Sequence, residues 1–382
     1  MRILHVLGKL DRGGVETWLV QVLRHIDRQK YQMDFLVNDP NPGAYDDEVR
    51  SLGARIIPCL GYRNPARYAL NFWRILREYG PYDCVHSHVH NGSGYVLMLA
   101  AMAGVPSRIA QSHTNTKLTE ASAGPVRRLY LGLMRRLLKR YASLGIAVSS
   151  FAGDSLMPGW RDDARWHLRP YGIESAPFDI EVDSAGVRAR LGIQPGVPVV
   201  GHVGRFVEVK NHRLILEIAE ELSRLDPKVV FLLVGDGPLR PEIEAEIRRH
   251  GMTERFVLAG LRADIPVILQ GAMDAFLFPS LYEGLGIALM EAQLAGLRCV
   301  VSDVVPPEAE LVPGMVSWVS LSDSPKRWAE SLHDIFTSEE VWNVSEEVRR
   351  NHSIETSVSQ LAALYESDQR VESPDAIYQS AQ

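Results

Sequence analysis

The residues best placed to do chemistry stand together in Pro279-Ser-Leu-Tyr-Glu-Gly-Leu-Gly-Ile-Ala-Leu-Met-Glu-Ala-Gln-Leu-Ala-Gly296. Two carboxylates, Glu283 and Glu291, bracket two glycines, Gly284 and Gly286. The apolar runs on either side, 273–278 and 297–303, read as strands, and 287–295 reads as a helix stopped by Gly296. Glycines in such a turn let a ligand approach the backbone. The helix start adds unpaired N–H groups and the positive end of the macrodipole. That chemistry suits a phosphate or diphosphate. The plainer alternative is an ordinary helix with one glutamate near its start and another on a solvated face. On the ligand reading, the two carboxylates accept hydrogen bonds from hydroxyls at either end of a nucleotide-sugar. Eight helical residues rise about 12 Å, beyond the roughly 5–9.5 Å between the acid and base carboxyls of a glycosidase.

Other candidates are weaker taken singly. Gly8-Lys-Leu-Asp-Arg-Gly-Gly14 follows the first strand, but it lacks the Lys-Ser/Thr of a P-loop and the spacing of a dinucleotide fingerprint. His86, His88 and His90 alternate, so an extended strand carries all three on one face, an arrangement that invites a metal. No acid accompanies them, and the reading here is that no metal is bound.

The elements that must position these groups alternate along the chain. Strand and helix patterns follow one another from Arg2–Leu7 and 15–28 through 145–148 and 151–157. They resume at Val199–Val203 and His212–Leu225 and run to Val316–Val319 and Pro325–Thr337. Such alternation predicts parallel sheets with helices on both faces and ligands at the carboxyl ends of the strands. At 382 residues, two domains are expected. The boundaries read as 1–172 and 173–352, then a final helix within 353–370 packing back toward the first domain, and a loose tail at 371–382.

A net charge of −6 gives no support for a nucleic-acid binder. Cys59, Cys84 and Cys299 lack metal or redox spacing, which favours a reducing, cytoplasmic setting. No apolar run approaches the roughly 20 residues that span a bilayer.

Further motifs converge on one family. Gly204-Arg-Phe-Val-Glu-Val-Lys-Asn-His212, Val234-Gly-Asp-Gly-Pro238, Val257-Leu-Ala-Gly-Leu261 and the Glu283/Glu291 pair occur in that order, after Gly13-Gly14. The set resembles the retaining nucleotide-sugar glycosyltransferases of family four, and the start resembles members that build bacterial exopolysaccharides and capsules. The resemblance covers nearly the whole chain. It implies an α/β, GT-B fold: two doubly wound Rossmann-like domains facing a cleft, the first binding the acceptor and the second the nucleotide-sugar.

The resemblance also implies roles. Arg205 and Lys210 stabilise the leaving diphosphate, Arg by its fork and Lys as a point charge. Glu283 contacts donor-sugar hydroxyls and Glu291 the ribose. Gly284 and Gly286 lie near the phosphates, Gly260 and Leu261 grip the base, and Leu285 and Glu208 join the donor site. His113 lies near the transferred sugar, and Gly13 and Gly14 form an acceptor or phosphate loop. No metal or cofactor is implied, and a UDP-sugar is the donor expected. The family often has Asn-Gly-Ile/Val-Asp/Glu at the domain crossing, where this chain has Tyr171-Gly-Ile-Glu174. A nucleotide-sugar epimerase on the same fold and a non-catalytic sugar-nucleotide scaffold are the alternatives.

Residues 126–141 form a helical pattern with six cations and no acid. Arg128, Arg135 and Lys139 fall on one side at about 100° per residue. Tyr130, Leu133, Met134, Leu137 and Tyr141 occupy the other. The helix is therefore expected to visit an anionic membrane on the inner face, where a carbohydrate or lipid-linked sugar is the acceptor; exposure to solvent alone is the alternative.

Overall fold

The computed structural model describes residues 1–117, 120, 123–338, 340 and 342–372. The chain divides into unit 1, Met1–Gly172 with the segment from Ile354 onward, and unit 2, Ile173–Ser353.

Among the described residues, unit 1 holds seven strands: β1 (Arg2–Leu7), β2 (Gln32–Val37), β3 (Arg55–Pro58), β4 (Cys84–Ser87), β5 (Ser107–Ser112), β6 (Leu144–Ala147) and β7 (Trp166–Leu168). They pair in parallel in the order β3-β2-β1-β4-β5-β6-β7. Parallel neighbours require crossovers, here α1 (Gly14–His25), α2 (Asp46–Ser51), α3 (Pro65–Tyr79), α4 (Ser93–Met102), α5 (Pro125–Tyr141) and α6 (Ser150–Leu156). Local chemistry sets their ends. Asn64 caps α3 by accepting from Arg67 N–H at 3.1 Å, and Pro65 takes the first turn, where its missing N–H costs nothing.

Unit 2 holds β8 (Val199–Val203), β9 (Val230–Val234), β10 (Phe256–Gly260), β11 (Ala275–Phe278), β12 (Arg298–Ser302) and β13 (Val316–Val319). Their order is β10-β9-β8-β11-β12-β13, again all parallel. Its helices are α7 (Ser184–Arg190), α8 (His212–Leu225), α9 (Arg240–Arg249), α10 (Ile265–Ala272), α11 (Ile287–Leu294), α12 (Pro325–Thr337) and α13 (Glu346–Asn351). Helix α8 buries Ile215, Leu216, Ile218, Ala219 and Leu222, the spacing of a single apolar face.

Helix α14 (Ile354–Glu372) belongs to unit 1. Its Tyr365 hydroxyl meets His86 Nδ1 at 2.9 Å, and Asp368 accepts from the hydroxyls of Ser107 and Ser143. Of the expected tail, residues 373–382 lie outside the described residues. The three cysteines are buried and unpaired. Among the described residues no helix is long and apolar enough to cross a membrane.

Helix α5 corrects one expectation. Arg135 does not face outward with Arg128 and Lys139; it pairs with Glu120 and donates to the carbonyls of Ser155 and Leu156. The helix buries Leu131, Met134 and Leu138 instead of Leu133 and Tyr130. Val126, Leu129, Tyr130 and Leu133 are left at the surface, the first two 82% and 77% exposed.

Candidate functional site

In unit 2, β8 and β11 are neighbours where the strand order reverses, the place at which open α/β sheets bind ligands. The loop after β8 carries Arg205, Glu208 and Lys210, and the loop after β11 carries Glu283, Gly284, Leu285 and Gly286. Topology thus joins residues 73 positions apart: Lys210 Nζ donates to Glu283 Oε1 at 2.6 Å. Both side chains are mostly covered, 17% and 13% exposed, and the ammonium lies 4.7 Å from the centre of the Phe278 ring. Backbone bonds fix the two loops, Leu281 N–H to Val209 O at 2.8 Å and Asn211 Nδ2 to Pro279 O at 3.1 Å.

Two glycines are required by geometry. A Cβ on Gly235 would stand 2.0 Å from Gly204 O, so only glycine lets these loops cross. Gly286 takes φ 100° as the N-cap of α11, turning the chain so that the helix start meets the loop. The first N–H groups of such a start are available to an anion.

The structure places the remaining candidates unequally. Arg205 is exposed and makes no ion pair among the described residues. Glu208 is also exposed. Gly260 has φ 67° and its carbonyl accepts from Gly235 N–H at 2.9 Å, whereas Leu261 is 64% exposed. Leu285 is buried. Glu283 lies ahead of α11 rather than on it, so half of the eight steps to Glu291 are loop and the rise of one continuous helix does not describe the pair. Burial, then the carboxylate of Glu174, pushes the Glu291 pKa up to about 7, although its side chain is only partly covered.

Unit 1 presents a different chemistry at its own reversal point, between β1 and β4. His5 and His86 are register partners on these strands. From there a chain of neutral groups runs outward: His5 Nδ1 to His88 Nε2 at 2.9 Å, His88 Nδ1 to His113 Nε2 at 2.8 Å, and His113 Nδ1 to the Tyr171 hydroxyl. Burial holds all four histidines below the usual imidazole range, His5 and His113 down to about 3. Both nitrogens of His113 are engaged, so in this arrangement it has none to offer a sugar. His90 departs from the expected face because β4 ends at Ser87; it takes φ 49° and meets Thr116. His5 replaces it, and one ring nitrogen from each of His5, His86 and His88 lies within 4.8 Å of the others, a donor set suited to a borderline transition metal. At Gly13, the N-cap of α1, the Glu16 carboxylate already lies against the helix start, with Gly14 the first helical residue.

Several of these residues escape sequence reasoning. His5 sits alone in an apolar run, and only strand pairing brings it to His86 and His88, 81 and 83 positions on. Phe278 reads as core. Tyr171, by contrast, is visible as a departure from the family pattern: its ring is tilted against Trp18 with centroids 4.9 Å apart, and its hydroxyl bonds His113.

Residues 12–176 match the family described as Glycosyltransferase Family 4, and residues 184–352 match Glycosyl transferases group 1. The chain is 36% identical over 335 residues to EpsF of Bacillus subtilis (strain 168), whose assignment as a glycosyltransferase is itself provisional; the match covers 87% of this chain and 86% of that one. It is 26% identical over 315 residues, 80% of each chain, to the UDP-Gal:alpha-D-GlcNAc-diphosphoundecaprenol alpha-1,3-galactosyltransferase of Escherichia coli. Among solved structures, Anabaena Alr3699/HepE in complex with UDP superposes with a TM-score of 0.80 at 20% identity, over 96% of this chain and 100% of that one.

Proposed function

The chain belongs to glycosyltransferase family 4 and has the GT-B fold, and from that premise we propose that it moves a sugar from a nucleoside diphosphate sugar to an acceptor hydroxyl in bacterial polysaccharide assembly. The observation that carries this reading is the Lys210–Glu283 pair beside the α11 start. A cation, a carboxylate and a helix N-terminus at one strand-order reversal suit a sugar linked to a diphosphate. Relatives that name UDP make it the nucleotide proposed.

The proposed division of labour follows from charge. Lys210 and Arg205 hold the negative charge that grows on the leaving diphosphate, as preorganised groups where charge develops. They do this without a metal ion. Glu283 takes donor-sugar hydroxyls and Glu291 the ribose; Gly284 and Gly286 give room at the phosphates, while Gly260, Leu261, Leu285 and Glu208 complete the donor surface. The proposal includes retention of anomeric configuration by front-face displacement, with a phosphate oxygen taking the acceptor proton. For His113, with both ring nitrogens bonded, the role proposed is to shape the unit 1 surface rather than to touch the sugar through its ring.

The test is incubation with a panel of nucleoside diphosphate sugars, with and without carbohydrate and lipid-linked acceptors, and magnetic resonance of the product. Transfer from a UDP-sugar with the donor's anomeric configuration is expected. An inverted product would sink the retaining mechanism, and epimerised donor without transfer would sink the transferase reading.

A further inference from the structure

Beside the Lys210–Glu283 pair, unit 2 buries two histidines whose ring nitrogens are mostly unused. His202, on β8, is 1% exposed, and His212, the first residue of α8, is 2% exposed. His202 Nδ1 lies 2.9 Å from the Leu277 carbonyl. A carbonyl only accepts, so Nδ1 carries the ring hydrogen. Burial, with the neighbouring His212 and the Lys210 ammonium, holds this ring well below the usual imidazole range and therefore neutral. Its Nε2 is then a bare lone pair, buried and without a partner among the described residues.

That lone pair shares its space with Lys210. A Cβ on Gly204 would stand 2.8 Å from His202 Nε2 and 3.3 Å from both Cγ and Cδ of Lys210. Glycine thus leaves open the gap that the imidazole nitrogen and the lysine stem both border. Aromatic rings close it. Lys210 Nζ lies over Phe278, whose ring centre is 6.1 Å from that of His202. His212 packs edge-on to His202 at 5.1 Å while stacking on Phe206 at 4.2 Å. An ammonium has three N–H donors, and Lys210 uses one on Glu283; the others have no partner among the described residues. Donor binding requires that bond to yield, because the proposed roles give Glu283 to sugar hydroxyls and Lys210 to the diphosphate.

We propose that His202 is a positioning residue for Lys210: as a diphosphate draws the ammonium from Glu283, the bare Nε2 accepts one of its N–H groups and leaves the other two for phosphate oxygens. The inference rests on the nucleotide-sugar reading of this site and adds a residue to it. In this role His202 touches neither sugar nor diphosphate; it acts through Lys210. A neutral acceptor suits the task, since a second carboxylate there would offset the cation that the diphosphate needs. The lysine keeps its full charge, and Glu283 is released to the sugar. An ammonium on a flexible four-carbon stem has otherwise many directions to point, and fixing it where charge develops is what lowers a barrier.

The experiment follows the ring nitrogens of the full chain, carrying isotope-labelled histidine, by magnetic resonance as UDP is added; inorganic diphosphate is the second probe. The His202 Nε2 resonance is expected at the downfield position of a bare nitrogen. It should move upfield as UDP saturates, and stay in place in Lys210→Met at matched occupancy. Two substitutions then separate positioning from packing. His202→Asn keeps an N–H near the Nδ1 position for Leu277 and removes the acceptor, whereas His202→Gln sets an amide oxygen near Nε2 and gives up the Leu277 bond. UDP affinity is expected to fall about tenfold in His202→Asn, the scale of one hydrogen bond to a charged group, and to recover most of that in His202→Gln. A purely structural role gives the reverse order and overturns the inference. So does an Nε2 resonance unmoved at saturating UDP, one that moves equally in Lys210→Met, or one shifted before UDP is added, which marks a water already on the nitrogen. A chain that binds neither UDP nor diphosphate sinks the nucleotide-sugar reading and this inference with it, a result distinct from binding with Nε2 unmoved.

Discussion

The same place in two sheets, the reversal of strand order, is equipped in two ways. In unit 2 it carries opposite charges, Lys210 and Glu283, partly open to solvent and bonded to each other. In unit 1 it carries uncharged imidazoles and phenols, buried and bonded in series from His5 to Tyr171. The contrast follows from what each can do for a ligand. Full charges near the surface answer a charge that appears during reaction, at the cost of partial desolvation. Neutral rings in the interior stay neutral because ionising them there is expensive, so they can fix positions but can answer little new charge.

Removing one group from each side should expose that difference, and the largest effect belongs to unit 2. Lys210→Ala or Glu283→Ala is expected to lower transfer on the order of 10²–10³-fold with an unchanged far-ultraviolet circular dichroism spectrum. Wild-type turnover in either variant would remove the charged pair from the chemistry. The matching change in unit 1 is Tyr171→Phe, which strips the hydroxyl from His113 Nδ1 and leaves a buried nitrogen without a partner. Its expected signature is a loss of about 1–3 kcal/mol in urea unfolding, with turnover reduced far less than by the unit 2 variants. A catalytic loss as large as that of Lys210→Ala, with stability intact, would reverse the comparison.

A subtler measurement concerns Glu291. Its carboxyl is raised to about 7 in the folded chain, against 4.5 for the ordinary group. Between those values the folded chain keeps a proton that the unfolded chain has lost. The relative stabilisation is present below about pH 4.5 and drains away as pH rises toward 7. Glu291→Gln should therefore melt higher than wild type at pH 8 and show no such advantage at pH 4; the opposite ordering would mean that Glu291 is held as a carboxylate. The smallest expected effect is that of a chelator. If cations of unit 2 stabilise the diphosphate, transfer is unchanged by EDTA, and a lost rate restored by zinc would direct attention to His5, His86 and His88.

The sequence carried much of this, for identifiable reasons. Alternating apolar runs and helical periods mark both parallel sheets, and glycine spacing marks the loop between β11 and α11. Strand β7 was hidden because Arg165, His167 and Arg169 interleave its apolar residues, giving it no continuous run. Helix α5 shows another limit. Periodicity groups residues onto faces, yet α5 has two apolar faces, and only packing against α4 decides that Leu131, Met134 and Leu138 turn inward. Long-range pairs such as His5 with His88 leave no local trace at all.

Unit 1 is not contiguous in sequence, and that has a consequence for how the protein is made. Tyr365 supplies a partner to His86, Asp368 to Ser107 and Ser143, and Glu366 to the Tyr31 hydroxyl at 2.7 Å. Roughly 180 residues of unit 2 separate these groups from the rest of unit 1. At about 5–20 residues per second of synthesis, the nascent first sheet waits on the order of ten to forty seconds for the helix that completes it. Throughout that interval His86 and the two serines lack these partners, so on the ribosome the second sheet has the opportunity to finish folding before the first.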